Sequence, residues 1–513
     1  MTYHMSRVVH WQQNHSVSHY STSIPRQLYQ NPWAEFTIMH LQILSESDRF
    51  ANLVQWFSMT GSLIGVSLIA KELEADLRGQ IFAVVVAGTI PMGILQGSST
   101  QNDYVVAFWI ICLVYYTILT VKSNFSWFNI LAIGLSISLA ILTKATAYIY
   151  ILPIFLWFIF SLLKYHRWQA IKSLVTVFLL LFLINLGHWL RNFNLYGTPI
   201  AADSVDPKYT NEIFSTSVLL SNILRNIGLH LGTPFGILNG ISNKIITLIH
   251  QILSVQISDS RTTYEAEFGI PGGLATLGIN ASENHTSNTI HFLLIFITIL
   301  IFFTQKKFRK NSQLFSYLIV CLGIFIIFCF LLKWQWYHSR LHVTIFLLFS
   351  PFVAVILTKI NQRKLINFLA IFLLLAAIPW ITLGRERALI GEHNIFNTNR
   401  IEQYFVSRAY LKNDYINAVN FIQSRQCYQL GLYLDKDDFE YPLWILLQNS
   451  DKPVNIQHIN PANTSAILKD VNFIPCAVFS TKKDLNKSSE ISVNQHKYIP
   501  AWSSNHVKIF MNP

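Results

Sequence analysis

Long apolar runs alternate with short polar ones along most of the chain, and their lengths decide what they build. A helix that crosses a bilayer needs about 20 mostly apolar residues. By that measure spans are predicted at 51–70, 81–95, 104–121, 127–142, 148–163, 171–190, 290–304, 314–332, 343–358 and 365–383. Segment 33–44 is a weaker, half-inserted candidate, and 81–95 and 290–304 are short for the task. The pattern breaks in three places. Residues 1–50 are polar and aromatic with no long apolar run. Residues 191–289 form a long loop in which 213–254 keeps helical periodicity among Asn, His and Gly, as helices lying in the membrane interface do. From about 385 the chain is polar, with helices predicted over 401–425 and 441–448 and strands over 429–434 and 476–480. The fold class is an all-α polytopic membrane protein of about 10–11 transmembrane helices with a small C-terminal α/β domain. Its sections are 1–50, 51–190, 191–289, 290–384 and 385–513.

Charge placement adds an orientation. Alternate loops carry Lys71 and Arg78; Lys122; Lys164, Arg167 and Lys172; Lys306, Lys307, Arg309 and Lys310; and Lys359, Arg363 and Lys364. The short loops between them hold only Lys144, Lys333 and Arg340. Excess Lys and Arg mark cytoplasmic loops. The first section, the long loop and the C-terminal domain are therefore predicted on the outer face of the plasma membrane. Only 12% of residues are charged, against about 25% in soluble proteins. The net charge of +12 sits in these loops, so topology and lipid headgroups account for it and no nucleic-acid partner is expected. Cys112, Cys321 and Cys329 lie in apolar runs and read as packing residues. Cys427 and Cys476 are either a disulfide or two buried thiols, and the sequence does not choose between them.

With that topology, several ionisable residues converge on the outer mouth of the bundle: His4, Arg7, His10, Glu35, Asp103, Lys144, Arg191 and Arg340. Such groups at a membrane boundary are costly, which makes each a functional candidate. Several also have a plainer explanation. Lys144 and Arg191 can snorkel to headgroups, Asp103 can cap the span beginning at 104, and Glu35 can complement the start of a short helix. An aromatic belt explains Trp334, Trp336 and Tyr337 but not Arg340 among them. His4, His10, His15 and His19 lack the close spacing of a helical zinc site, no C-x-x-C pair is present, and no metal or other cofactor is expected. Several cations facing one cavity suit an anionic lipid head such as a polyprenyl phosphate, held in forked, charge-assisted bonds. A carboxylate beside it suits general-base activation of an acceptor hydroxyl. The expected catalytic residues are Asp103 and Glu35; the expected binding residues are His4, Arg7, Lys144, Arg191 and Arg340.

Order along the chain then points to a family. Tyr3-His4, Arg7, His10-Trp11, Pro25-Arg26-Gln27-Leu28, Pro32-Trp33-Ala34-Glu35, Gln101-Asn102-Asp103, Leu142-Thr143-Lys144, Arg191-Asn192, Glu283-Asn284-His285, His338-Ser339-Arg340-Leu341-His342 and Glu440-Tyr441-Pro442 follow one another. The chain thereby resembles bacterial, notably cyanobacterial, glycosyltransferase family 39-like proteins. These are relatives of the protein O-mannosyltransferases and aminoarabinose transferases of the C-type membrane superfamily. The resemblance implies an inverting transferase that moves a sugar from a polyprenyl-phosphate donor to an outward-facing glycan, lipid or protein acceptor. It also implies an acidic base a few residues before Tyr3, so an upstream helix and acid are expected ahead of Met1. Two alternatives stand beside it: a transporter or flippase of lipid-linked saccharides, disfavoured by the lack of an internal repeat, and a glycan polymerase or ligase.

Overall fold

The computed structural model describes residues 1–122, 125–200, 209–264, 267–360, 362–448, 450, 452–483 and 490–513. Of the predicted loop 191–289, residues 201–208 and 265–266 lie outside the described residues. The first section contains α1 (His4–Asn14), α2 (Arg26–Tyr29) and α3 (Trp33–Ser45). The apolar runs become α4 (Leu53–Glu72), α5 (Leu77–Gly88), α6 (Pro91–Gly97), α7 (Asp103–Lys122), α8 (Trp127–Thr143) and α9 (Ala147–Tyr196). The long loop holds α10 (Thr216–Gly228) and α11 (Gly236–Ile252), where helical periodicity predicts them. There follow α12 (Thr289–Thr304), α13 (Ser312–Leu331), α14 (His338–Leu341), α15 (Val343–Lys359) and α16 (Arg363–Thr382). Five of these, α4, α7, α9, α13 and α16, are long and apolar enough to cross a membrane by themselves. The protein is a multi-pass membrane protein.

Two spans differ from expectation in shape. The predicted straight span 81–95 is broken: α5 and α6 meet at 72°. Pro91 starts the second piece, where its missing N–H costs nothing. The Met92 amide at the break is satisfied by the Asn288 side chain at 2.9 Å, as backbone freed within a membrane requires. The predicted spans 148–163 and 171–190 are the two arms of α9, which turns at Arg167 with φ 28°. Phe155 and Phe178 face each other across the turn with ring centroids 5.8 Å apart, so the arms run antiparallel.

Polar bonds tie alternate helix ends together at each mouth of the bundle. At one mouth Asn102 at the start of α7 donates to the Thr143 carbonyl at the end of α8. There Gln55 near the start of α4 also donates to Gln96 near the end of α6. At the other mouth Lys359 pairs with Glu74 and Lys122 with Glu72. The alternation that charge placement predicts is therefore the alternation of the structure.

Among the described residues the C-terminal domain holds a six-stranded mixed sheet in the order β2-β1-β3-β6-β5-β4. Its strands are β1 (Gln429–Tyr433), β2 (Asn455–His458), β3 (Ala477–Ser480), β4 (Ile491–Val493), β5 (His496–Ser503) and β6 (Lys508–Met511). β1 lies parallel to β2 and β3, and the rest pair antiparallel. The single helix predicted over 401–425 is instead Arg400–Tyr404, a 3-10 stretch Val406–Leu411 and α17 (Lys412–Ser424). Arg408 leaves helical geometry inside the middle piece. Tyr415, Val419 and Ile422 of α17 pack on Leu430 and Phe479, and α18 (Tyr441–Leu447) closes the same core. Met5, Val8 and Val9 of α1 belong to that core as well. Burying apolar surface of both regions together makes the first section and the C-terminal domain one packed body. Cys427 and Cys476 form a disulfide that joins the chain just before β1 and β3, which resolves the open alternative.

Candidate active site

The site is built where α1, α3 and the loop ends meet at one mouth of the bundle. Asn31, just before α3, donates to the Ile141 carbonyl of α8 at 2.7 Å, fixing the first section over the helix ends. From α1, His4 Nδ1 lies 2.6 Å from Glu35 Oε1 on α3, and Arg7 Nη1 lies 3.6 Å from the same oxygen. Arg7 also donates to the Arg26 carbonyl. Arg7 and Glu35 are fully buried. Burial alone would raise the Glu35 carboxyl, but Arg7 and His4 outweigh it and hold the group below the usual carboxylate range. Next to this trio, Lys144 Nζ pairs with Asp103 Oδ1 at 2.5 Å. Arg340, on the one-turn α14, donates to Gln101 Oε1 at 2.6 Å. Lys144 is within electrostatic reach of Arg340 and Glu35 as well as Asp103, and Tyr3 is within reach of Arg340, Glu35 and Asp103. The structure thus places six of the seven expected residues in neighbouring groups at this mouth, here called the chamber: His4 and Arg7 on Glu35, Lys144 on Asp103, and Arg340 on Gln101, two residues before Asp103.

The seventh, Arg191, stands aside. It is half-buried near the end of α9 with Arg7 as its charged neighbour, beside His188 and His19, and it is not brought to the Asp103–Arg340 pair. Its place on a largely lipid-facing helix fits the snorkelling reading.

The chamber is unsaturated. Arg7 Nε, Glu35 Oε2, Asp103 Oδ2 and Arg340 Nε are buried without a hydrogen-bond partner among the described residues. Buried polar groups are ordinarily paired, so each such atom calls for an explanation. An arginine N–H of this kind can bind an anion, and a carboxylate oxygen of this kind can accept a proton.

A second buried cluster was visible in the sequence only as scattered members of the family resemblance. The Glu440 carboxylate, fully buried, accepts from His10 Nε2 at 2.6 Å, Trp444 Nε1 at 2.9 Å, His458 Nε2 at 3.2 Å and the Gln27 amide. The two imidazoles and the carboxylate are close enough to share a metal ion, but their partners argue against it. The Ser23 amide donates to His458 Nδ1, which leaves the proton on Nε2, pointed at Glu440. Gln27 and Trp444 take up the remaining oxygen valences. The cluster is a hydrogen-bonded junction between α1 and the C-terminal domain. Burial would raise the Glu440 carboxyl, yet the two histidines hold it well below the carboxylate range. A third group, Glu283 with Arg387 and Gln101, links the long loop and the segment after α16 to the partner of Arg340.

This architecture is the fold of the C-type membrane glycosyltransferases. Over its whole length the chain superposes on ArnT from Cupriavidus metallidurans, solved bound to undecaprenyl phosphate, with TM-score 0.53, 9% identity and 93% of that chain covered. Residues 32–189 match the sequence profile of the dolichyl-phosphate-mannose-protein mannosyltransferase family. The archaeal oligosaccharyltransferase AglB from Archaeoglobus fulgidus, in complex with an inhibitory peptide and a dolichol-phosphate, is also similar. Its TM-score is 0.45 at 12% identity, covering 93% of this chain and 65% of that one. No curated protein is similar in sequence.

Proposed function

We propose that the chain is an integral membrane glycosyltransferase that moves a sugar, with inversion, from a polyprenyl-phosphate donor to an acceptor at the outer membrane face. The observation that carries this reading is the meeting of Arg7, Lys144 and Arg340 with Glu35 and Asp103 in a buried chamber holding unpaired polar atoms. The family profile over residues 32–189 and the shared fold with a polyprenyl-phosphate-bound protein support the donor class.

Arg340 binds the donor phosphate, its Nε free for a forked bond, and Lys144 adds charge beside it. Arg7 and His4 fix Glu35 and line the chamber. Asp103 acts as general base. Its Oδ2 is free to accept the acceptor hydroxyl's proton while Oδ1 is held by Lys144. As the acceptor oxygen bonds to the anomeric carbon, the carbon–phosphate-oxygen bond breaks. Polyprenyl phosphate leaves with its charge stabilised by the cations.

The outward orientation rests on the basic mouth carrying Lys71, Lys122, Lys306, Lys307 and Lys359. The Cys427–Cys476 disulfide on the opposite side agrees, since such bonds persist in oxidising compartments. The test is transfer from a polyprenyl-phosphate-linked sugar by membranes carrying the wild type or Arg340→Ala. The expected loss is about 10²-fold or more; equal rates would remove Arg340 from the phosphate site.

A further inference from the structure

The C-terminal domain exposes aliphatic and aromatic side chains at several points, and two of these groups lie where the domain joins lipid-facing helices. The first place follows α16 directly. The Leu389 and Ile390 amides both bond back to the Thr382 carbonyl at the end of that helix. This fold exposes Ile390 (60%) and Phe396 (81%) next to the outward-turned Ile378 and Ile381 of α16.

The second place lies far away in sequence. β1 and β2 run from the disulfide toward the first section, and His458 at the end of β2 meets His10 through Glu440. The chain that leaves β2 therefore begins on the membrane side of the sheet. There Ser465 and Asn463 bond to Thr22, and His19 of the same loop bonds to Asn192 near the end of α9. The short 3-10 turn Thr464–Leu468 packs against α9. In it Ile467 (72%) and Leu468, and just after it Val471, are exposed. Exposed apolar side chains line α9 from Trp168 to Phe193, about 38 Å at 1.5 Å per residue, enough to carry the stripe through the hydrocarbon core to the headgroups.

We propose that the C-terminal domain is seated on the outer leaflet by these two apolar feet, Ile390 with Phe396 and Ile467 with Leu468 and Val471, sunk at the boundary of headgroups and acyl chains. Three features favour lipid over a protein partner. Each foot continues a lipid-facing stripe of the bundle rather than standing alone. The feet occupy different flanks, since α9 packs on α7 and α8 while α16 packs on α5 and α6. Each is a few side chains wide, whereas protein-binding patches are single and contiguous. Small apolar groups flanked by polar surface are also what interfacial anchors use.

The seat gives the domain a task beyond packing on α1. It fixes the height of the α1–α3 body above the bilayer, and with it the depth at which the chamber opens to lipid.

The test uses the full chain reconstituted in phosphatidylethanolamine–phosphatidylglycerol vesicles. A nitroxide is attached at Ile467→Cys, Phe396→Cys or, as a water-facing reference, Lys452→Cys beside Tyr428 at the opposite end of the sheet. A Cys112→Ser background removes the half-exposed thiol. The three labelled positions are exposed, so substitution there costs little stability. Collision with oxygen relative to a water-soluble nickel chelate is expected to be severalfold higher at 467 and 396 than at 452. A ratio at 467 and 396 equal to that at 452 would overturn the proposal. Protection from both reagents at those positions would overturn it as well, because it would mean that a protein surface covers the feet.

Discussion

The two buried polar clusters that share α1 obey opposite rules. At Glu440 four donors converge on one carboxylate, and the fixed tautomer of His458 leaves no room for a further ligand. In the chamber one helical turn earlier, Glu35 and Asp103 each keep an oxygen unpaired, and Arg7 and Arg340 keep N–H groups unpaired. A saturated network rigidifies, whereas an unsaturated one in a low dielectric is costly unless something completes it. The difference marks the first cluster as a structural junction and supports the proposal that the second takes substrate, although both contain buried carboxylates beside basic side chains.

That assignment separates the expected effects of substitution. The largest is Asp103→Asn, whose amide oxygen still accepts from Lys144 while its basicity is gone. Sugar transfer per folded molecule is expected to fall about 10²–10⁴-fold, far more than any lowering of the unfolding midpoint accounts for. A large loss of stability with transfer intact would place Asp103 in the structural class. Next is Glu440→Ala, which strands His10, His458 and Trp444. Breaking a buried charged pair by removing one partner costs about 3–5 kcal/mol, read as a lowered unfolding midpoint. Transfer per folded molecule should change far less than in the Asp103 variant.

The smallest effect is a pH dependence confined to the junction. A carboxyl held below its ordinary 4.5 in the fold stabilises the protein at pH values above 4.5. It loses that contribution as pH falls through the lower folded value. The stability difference between wild type and Glu440→Gln should therefore be full at neutral pH and shrink on acidification below the ordinary carboxylate range. A difference that grew on acidification would reverse the assignment.

The sequence made the bundle legible because span length and alternating loop charge are both set by the bilayer, and every predicted span is helical or nearly so. It did not show the break between α5 and α6, which depends on Asn288, almost two hundred residues away, capping Met92. The placement of Arg340, Lys144, Asp103 and Arg7 at one mouth was readable for the same reason as the spans, and their joint role there is the proposal. Arg191 satisfies the same rule, yet its position along α9 turns it toward the edge, which loop assignment alone does not resolve. Of the sheet, β1 and β3 carried apolar runs, while β2, β4, β5 and β6 are short or alternate with polar residues and escaped notice. Glu440 was hidden for a different cause: its partners His10, Gln27 and His458 come from three separate segments, and no spacing rule joins them.

The central claim is that Arg340, with Lys144 beside it, grips a lipid-linked phosphate, and titration with undecaprenyl phosphate tests it most directly. Wild type and Glu440→Gln should bind alike, while Arg340→Ala should bind about 10–100-fold more weakly, the value of charge-assisted hydrogen bonds of about 1.5–3 kcal/mol. Equal affinity for wild type and Arg340→Ala would contradict the account.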